Sequence, residues 1–438
     1  MLTTSALPLS HVGQRARRRI AWRLMPFLFV VYIIAYLDRV NVAYAALEMS
    51  RDLKFSDRVF GLGAGIFFIG YFLLEIPGAL IVERWSARRW IARIMISWGL
   101  VTVLTAFVET ARQFYTARFL LGAAEAGFFP GIIVYLTHWF RYEDRAKAVA
   151  LFMAAIALSN VIGSPIAGVL LGVRWYGIEG WRWLFIIEGI PAVIFGVITL
   201  WYLTDWPRQA RWLPPEERDW ITAELEREKQ AKKAIRTYTV WEALRERDVI
   251  LLALIYFLAV TGHYGFILWL PTILQRLSGL PNLTITLLAA LPYLAGLTAM
   301  LANGWHSDRT GERRWHTALP LFLCGGAFLA SLAAGSKVWL AVVLFTMVGA
   351  CLHAYLPCFW ALPTITLSES AAAVSIGLIN SIGNLGGFVG PYVVGYLRTR
   401  TQSFHPGLIY LLSGLFLSAT LVLMLRIHRR PPTPRATG

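Results

Sequence analysis

The chain has 438 residues, 57% of them hydrophobic and 15% charged, with a formal net charge of +16. A water-soluble domain carries roughly a quarter charged residues, so this composition excludes an ordinary soluble protein. The basic excess does not mark a nucleic-acid binder. Arg15, Arg17, Arg18, Arg19 and Arg23 precede the first apolar run, and Arg426, Arg429 and Arg430 follow the last. That is the positive-inside pattern of a multi-pass membrane chain with both termini cytoplasmic.

A helix needs about 20 apolar residues to cross the hydrocarbon core. Twelve runs of about that length are predicted, at 22–46, 59–82, 91–109, 113–138, 146–171, 182–204, 248–271, 283–303, 316–334, 338–362, 372–397 and 405–427. The first is a membrane helix and not a cleavable signal, because it carries Asp38 and Arg39 and lacks a small-residue cleavage site. The expected fold is therefore an all-α membrane protein of twelve transmembrane helices in two six-helix bundles. The expected organisation is a cytoplasmic tail over 1–21, a first bundle over 22–204, a linker over 205–247, a second bundle over 248–427 and a cytoplasmic tail over 428–438. Within the linker, Leu213-Pro-Pro-Glu-Glu-Arg opens a polar helix that runs toward Lys233. Cys324, Cys351 and Cys358 lie in apolar runs without metal-ligand spacing and say nothing about redox compartment.

An internal repeat supports the six-plus-six division. The loop Glu83-Arg84-Trp-Ser-Ala-Arg88-Arg89 is echoed by Asp308-Arg309-Thr-Gly-Glu-Arg313-Arg314, and 308 − 83 = 225. Asn160, Gly163, Pro165 and Gly168 are echoed by Asn384, Gly387, Pro391 and Gly395, and 391 − 165 = 226. Two different motifs repeating at nearly one period make coincidence a poor explanation.

These loops resemble the signature of the major facilitator superfamily: a glycine, three residues, an acidic residue, an arginine, two residues and a basic group. The second copy has Gly304, Asp308, Arg309, Gly311 and Arg313; the first departs at Ala79, Glu83 and Ser86. The chain is further similar, over nearly its whole length, to the anion:cation symporter branch, tartrate- and phthalate-permease-like members included. Four stretches carry this: Tyr36-Leu-Asp38-Arg39-Val-Asn41, Glu83-Arg-Trp-Ser-Ala-Arg-Arg-Trp-Ile-Ala-Arg, Arg118-Phe-Leu-Leu-Gly122-Ala-Ala-Glu125-Ala-Gly127-Phe-Phe-Pro130, and Asn380-Ser-Ile-Gly-Asn384. The resemblance implies that Asp38 and Glu125 take part in proton coupling and that Arg39 and Arg118 hold the anion. It implies that Glu83, Arg84, Arg88, Asp308, Arg309 and Arg313 form a conformational gate that pins neighbouring helices.

The residues themselves support a central site. A charge at the bilayer centre costs about 2.5–3.5 kcal/mol on insertion scales, so buried charges need a partner or a use. Asp38 and Arg39 on the first span and Arg118 and Glu125 on the fourth share the middle-to-outer part of the membrane, and Arg118 and Glu125 lie on one helix face, two turns apart. Structural ion pairing is the plain reading. The functional one is that the planar arginine forks bind a carboxylate while the acids load protons. Further candidates for substrate contact are Tyr71, Asn160, His263, Tyr264, Asn380 and Asn384; helix linking is as good an account of the asparagines, and packing the better account of a membrane histidine. Glu75 and Glu188, each just before a proline, read as structural.

No nucleotide-binding loop, catalytic set or metal-ligand spacing is present in the sequence, so the expectation is a transporter that is not an enzyme and has no cofactor and no metal. The reading is a monomeric, proton-coupled symporter of a small organic anion in the cell inner membrane: tartrate, a sugar acid or an aromatic acid. The alternative is a drug or metabolite proton antiporter acting as an exporter, against which two central arginines argue. A non-transporting receptor would need neither the central charges nor the half-chain repeat.

Overall fold

The computed structural model describes residues 11–232, 242, 245–335, 337–366 and 369–425, and among these the regular structure is helical throughout. The remainder of the predicted tails and of the linker, together with the side chains of Glu83 and Arg84, lies outside the described residues.

The first half folds as α1 (His11–Asp52), α2 (Asp57–Arg84), α3 (Ala87–Thr105), α4 (Ala111–Glu125), α5 (Phe128–Thr137), α6 (Tyr142–Leu171) and α7 (Gly180–Tyr202). A polar connecting helix follows, α8 (Pro215–Lys232). The second half holds α9 (Arg247–Ile267), α10 (Leu270–Ser278), α11 (Asn282–Thr310), α12 (Arg314–Leu332), α13 (Val338–Thr366), α14 (Glu369–Asn384), α15 (Gly386–Thr401) and α16 (His405–Leu423). Among the described residues, ten segments are long and apolar enough to cross a membrane. The other two predicted spans correspond to α3, whose first seven residues include Arg88, Arg89 and Arg93, and to the α14–α15 pair, broken at Leu385.

Local chemistry sets several of the starts. Ser56 accepts a hydrogen bond from the Val59 amide at 3.3 Å, and Thr110 and Gln113 form a capping box that opens α4. Such caps contribute about 1 kcal/mol each by satisfying amides that have no partner within the helix. Packing within the membrane relies on small residues, since lipid tails compete with any apolar side chain. Gly122 of α4 sits directly on the Phe67 carbonyl of α2, where a methyl group would collide with backbone. Gly99 of α3 and Gly189 of α7 face each other in the same way.

The first prediction to need extension is α1. It begins at His11, two turns and more before the membrane run, because its polar start is docked on α8. Arg19 pairs with Glu217 at 3.0 Å and Arg15 with the same carboxylate at 3.7 Å. Arg145 of α6 reaches Glu228 at 3.7 Å. The connecting helix is thus strapped to one end of the first bundle.

At the opposite end the two bundles are shut against each other. Arg276 at the end of α10 makes a two-pronged ion pair with Asp57 at the start of α2, at 2.5 and 2.9 Å. Asn282 of α11 donates to Glu48 at 2.9 Å, and Glu48 also receives Arg174 at 3.1 Å. The Arg58 amide donates to Thr399 of α15 at 2.9 Å. Among the described residues, the ion pair that joins the two bundles lies at this far end.

A candidate anion site at the centre of the first bundle

Asp38 and Arg39 lie on α1, 52 − 39 = 13 residues from its far end at the nearer of the two, which is about 20 Å along the axis. Glu125 is the last residue of α4, 125 − 111 = 14 residues in from the far end, or about 21 Å. The two helices therefore bring their charges to one level, and the side chains meet: Arg39 forms an ion pair with Glu125. Both are buried.

Glu125 owes its placement to a break that the apolar pattern of the fourth span hides. Ala126 leaves the helical region at φ −54°, ψ 135°, and Gly127 follows at φ 83°, a left-handed conformation that glycine adopts without penalty. The predicted single helix over 113–138 is in fact α4 and α5, with the carboxylate at the junction. Interrupted membrane helices of this kind leave polar groups at mid-depth, where they line binding sites in transporters. Gly127 and Pro130 were the available signals.

Arg39 is enclosed by aromatic faces. Its guanidinium carbon lies 5.2 Å from the Tyr71 ring centre, 5.5 Å from Phe67 and 5.6 Å from Tyr36, distances at which ring quadrupoles attract a cation. One of its terminal nitrogens reaches across to the second bundle, 3.5 Å from the Tyr264 hydroxyl of α9. Arg118 stands differently. It is 1% exposed and lies 5.0 Å over Phe67, yet Nε and Nη1 have no hydrogen-bond partner. Among the described residues it makes no ion pair. A buried guanidinium with open donors is costly unless an anion completes it.

Asp38 is held by groups that the sequence pattern did not single out. The Trp98 indole N–H of α3 donates to one carboxylate oxygen at 2.7 Å, and the Asn41 amide donates to the other at 3.3 Å. Charge-assisted bonds of this kind contribute about 1.5–3 kcal/mol each. Nothing in spacing links a tryptophan 60 positions away to this acid.

The remaining candidates fall at other places. Asn380 donates to Glu75 of α2 at 2.7 Å and Ser381 donates to its second oxygen at 2.9 Å, so these groups of α14 are spent on a bridge between bundles. Asn384 lies beside the same carboxylate. Asn160 donates to its own helix at Ile156, leaving its oxygen without a donor. His263 is buried, with Nδ1 unpartnered, and its ring centre is 5.3 Å from that of His353 on α13. Of the gate residues, Arg313 pairs with Asp308 at 2.5 Å and donates to Ser307 at 3.0 Å. Arg309 lies over Trp305. The Arg88 amide donates to Asp205 at 2.9 Å and its side chain to the Leu200 carbonyl at 3.1 Å, fixing the loop to the end of α7.

Comparison with known proteins agrees with this architecture. The Major Facilitator Superfamily profile matches residues 28–391. The chain is 47% identical over 412 residues to a protein of Agrobacterium vitis described as "Putative tartrate transporter", covering 94% of this chain and 91% of that one. It is 37% identical to a quinolone resistance transporter of Acinetobacter baumannii, over 94% of this chain and 96% of that one. Its fold is shared with a solved bacterial homologue of the human lysosomal transporter Spinster, at a TM-score of 0.75 and 17% identity, over 97% of this chain and all of the other. The chain is a multi-pass membrane transporter and not an enzyme, and it belongs to the Major Facilitator Superfamily.

Proposed function

We propose that this member of the superfamily is a proton-coupled symporter that carries a small organic anion, a carboxylate of the tartrate, sugar-acid or aromatic-acid type, across a bacterial inner membrane. The observation that carries the reading is Arg118: a buried guanidinium whose Nε and Nη1 have no partner, two turns from Glu125 along one helix face. An incoming carboxylate engages one planar two-pronged edge of the guanidinium, Nε with Nη2 or Nη1 with Nη2, and so satisfies one of these open donors. Arg39 supplies the second cation. It engages the anion by releasing Glu125, and a carboxylate left without its counter-charge in a low-dielectric setting takes up a proton. Anion binding and proton binding then favour each other, which is the linkage that symport requires. Asp38, held by Trp98 and Asn41 beside the same arginines, is the second proton carrier. The relative described as a tartrate transporter supports the anion class.

The two bundles are the moving parts. With the far end shut by Arg276–Asp57 and Asn282–Glu48, the site is approached from the α8 end, and the reading assigns that end to the cytoplasm. Rocking opens the far latch and separates Arg39 from Tyr264, while Arg39 and Glu125 travel together within one bundle.

Drug export is the second reading, favoured by the quinolone-resistance relative. A cation exporter needs a carboxylate free to meet its substrate, whereas here Glu125 is paired and the arginine is open. Uptake into proteoliposomes under an inward proton gradient decides between them. Accumulation of tartrate or a related carboxylate supports symport; quinolone efflux with no carboxylate uptake supports export.

A further inference from the structure

A cavity of about 320 Å³ lies at the α8 end, between the start of α1 and the α5–α6 turn. Its rim is cationic, with Arg17, Arg18, Arg141 and Lys147, and Asp144 is the acid among its lining residues. Asp144 is already committed. Arg17 donates to it through Nε at 2.8 Å, and Arg141 reaches it at 3.4 Å and Glu143 at 3.0 Å. Arg18 and Lys147 are exposed and make no ion pair among the described residues, and residues 1–10 contain no acid that would supply one. A second cavity of about 370 Å³, bounded by Arg15, Arg18, Arg19 and Trp22, opens on the other side of Arg18. Two recesses thus share one cation, Arg18, that forms no ion pair among the described residues.

The floor of the first cavity is apolar, formed by Ile20, Met25, Ala148 and Leu151. Leu151 of the first recess is 51% exposed and Trp22 of the second is 72% exposed, so this face opens toward the surface that faces lipid, at the depth where tryptophan marks the membrane interface. A soluble anion would use the cations and leave the floor bare. An amphiphile uses both: a phosphate between Arg18 and Lys147, and an acyl chain along Met25 and Leu151. Basic recesses between membrane helices at an interface have the charge and shape for anionic headgroups.

We propose that this recess is a binding site for an anionic phospholipid, which ties α1 to α6 in the bundle that carries the transport charges. The site is 20 residues along α1 from Asp38 (38 − 18 = 20) and about 30 Å away on the helix axis, so it is separate from the transport site.

Thermal unfolding of the purified full-length protein in detergent tests it, with phosphatidylglycerol, phosphatidylcholine or inorganic phosphate added. Phosphatidylglycerol is expected to raise Tm while phosphatidylcholine and inorganic phosphate leave it unchanged. The Arg18→Gln/Lys147→Gln variant, with the same Tm as wild type without lipid, should need about tenfold more phosphatidylglycerol for half the effect. Equal titrations in the two proteins overturn the proposal. So does stabilisation by inorganic phosphate alone, which would make the site one for a free anion, or equal stabilisation by phosphatidylcholine. If the double variant does not fold, native mass spectrometry of Lys147→Gln replaces it: fewer bound phosphatidylglycerol molecules than wild type support the site, and equal numbers refute it.

Discussion

Arg39 and Tyr264 meet across the bundle interface, nitrogen to hydroxyl at 3.5 Å, and they are 225 positions apart, the offset that also separates Glu83 from Asp308. The half-chain repeat makes them corresponding positions of the two halves, and their contact joins the bundles. The same offset places His263 opposite Asp38 (263 − 38 = 225). The first half has kept an acid and a base at this level, and the second half carries a histidine and a tyrosine. The charges to which the proposal assigns binding and coupling are thereby gathered on one bundle, and the other offers hydrogen-bonding groups at the same level.

Arg118 should not tolerate lysine. Arg118→Lys keeps a cation but loses the fork, and one charge-assisted hydrogen bond is worth about 1.5–3 kcal/mol. Substrate affinity should fall roughly 10- to 100-fold, measured by binding to detergent-solubilised protein, and Arg118→Ala should abolish binding while insertion is normal. Wild-type affinity in the alanine variant would make Arg118 a packing group.

In the proposed cycle the far-end latch, Arg276 with Asp57, is one weight in the balance between two access states. Asp57→Ala removes a partly exposed pair worth about 0.2–1 kcal/mol, so the shift should be no more than about fivefold. Spin labels at Arg51 and Arg400, exposed on the two bundles at that end, should show a larger population of long distances in the variant. An unchanged distribution would mean that Asn282–Glu48 and the α2–α15 contact carry the closure.

Orientation follows from the arginine distribution. A cysteine at Gln230 on α8 should resist an impermeant thiol reagent in intact cells, and one at Arg51 should react. Both positions are exposed in the structure. The reverse pattern would invert the topology and with it the direction assigned to the open end.

Gly122→Ala should destabilise the first bundle, because the added methyl meets the Phe67 carbonyl and backbone cannot yield as a side chain can. Overpacking of this kind costs about 1–3 kcal/mol. Gly326→Ala, with nothing within 4 Å, is the matched control and should leave the thermal midpoint unchanged or higher. Equal midpoints in the two variants would contradict the close α2–α4 approach.

The sequence displays what depends on composition and spacing: twelve apolar runs, the half-chain repeat, and the four charges of the first and fourth spans, three of which the structure brings to one level. It conceals what depends on contacts between distant segments. The helical start of α1 at His11 looked like a tail because its stabilisation comes from Glu217 on α8. The break after Glu125 lay inside an unbroken apolar run, marked by Gly127 alone at the turn itself. Trp98 gave no sign of serving Asp38, and Asn380 could be read as free for substrate until Glu75 was found 2.7 Å from it. Polar residues in apolar helices announce that a partner exists; the fold alone names it.

The coupling role of Glu125 is the centre of the account, and Glu125→Gln tests it most directly. Glutamine copies the protonated acid and releases Arg39 from its ion pair. In proteoliposomes the variant should still exchange labelled substrate for unlabelled, since exchange needs no net proton movement. It should fail to accumulate substrate when an inward proton gradient is applied. Full gradient-driven accumulation by Glu125→Gln would contradict the account and remove this carboxylate from the coupling step.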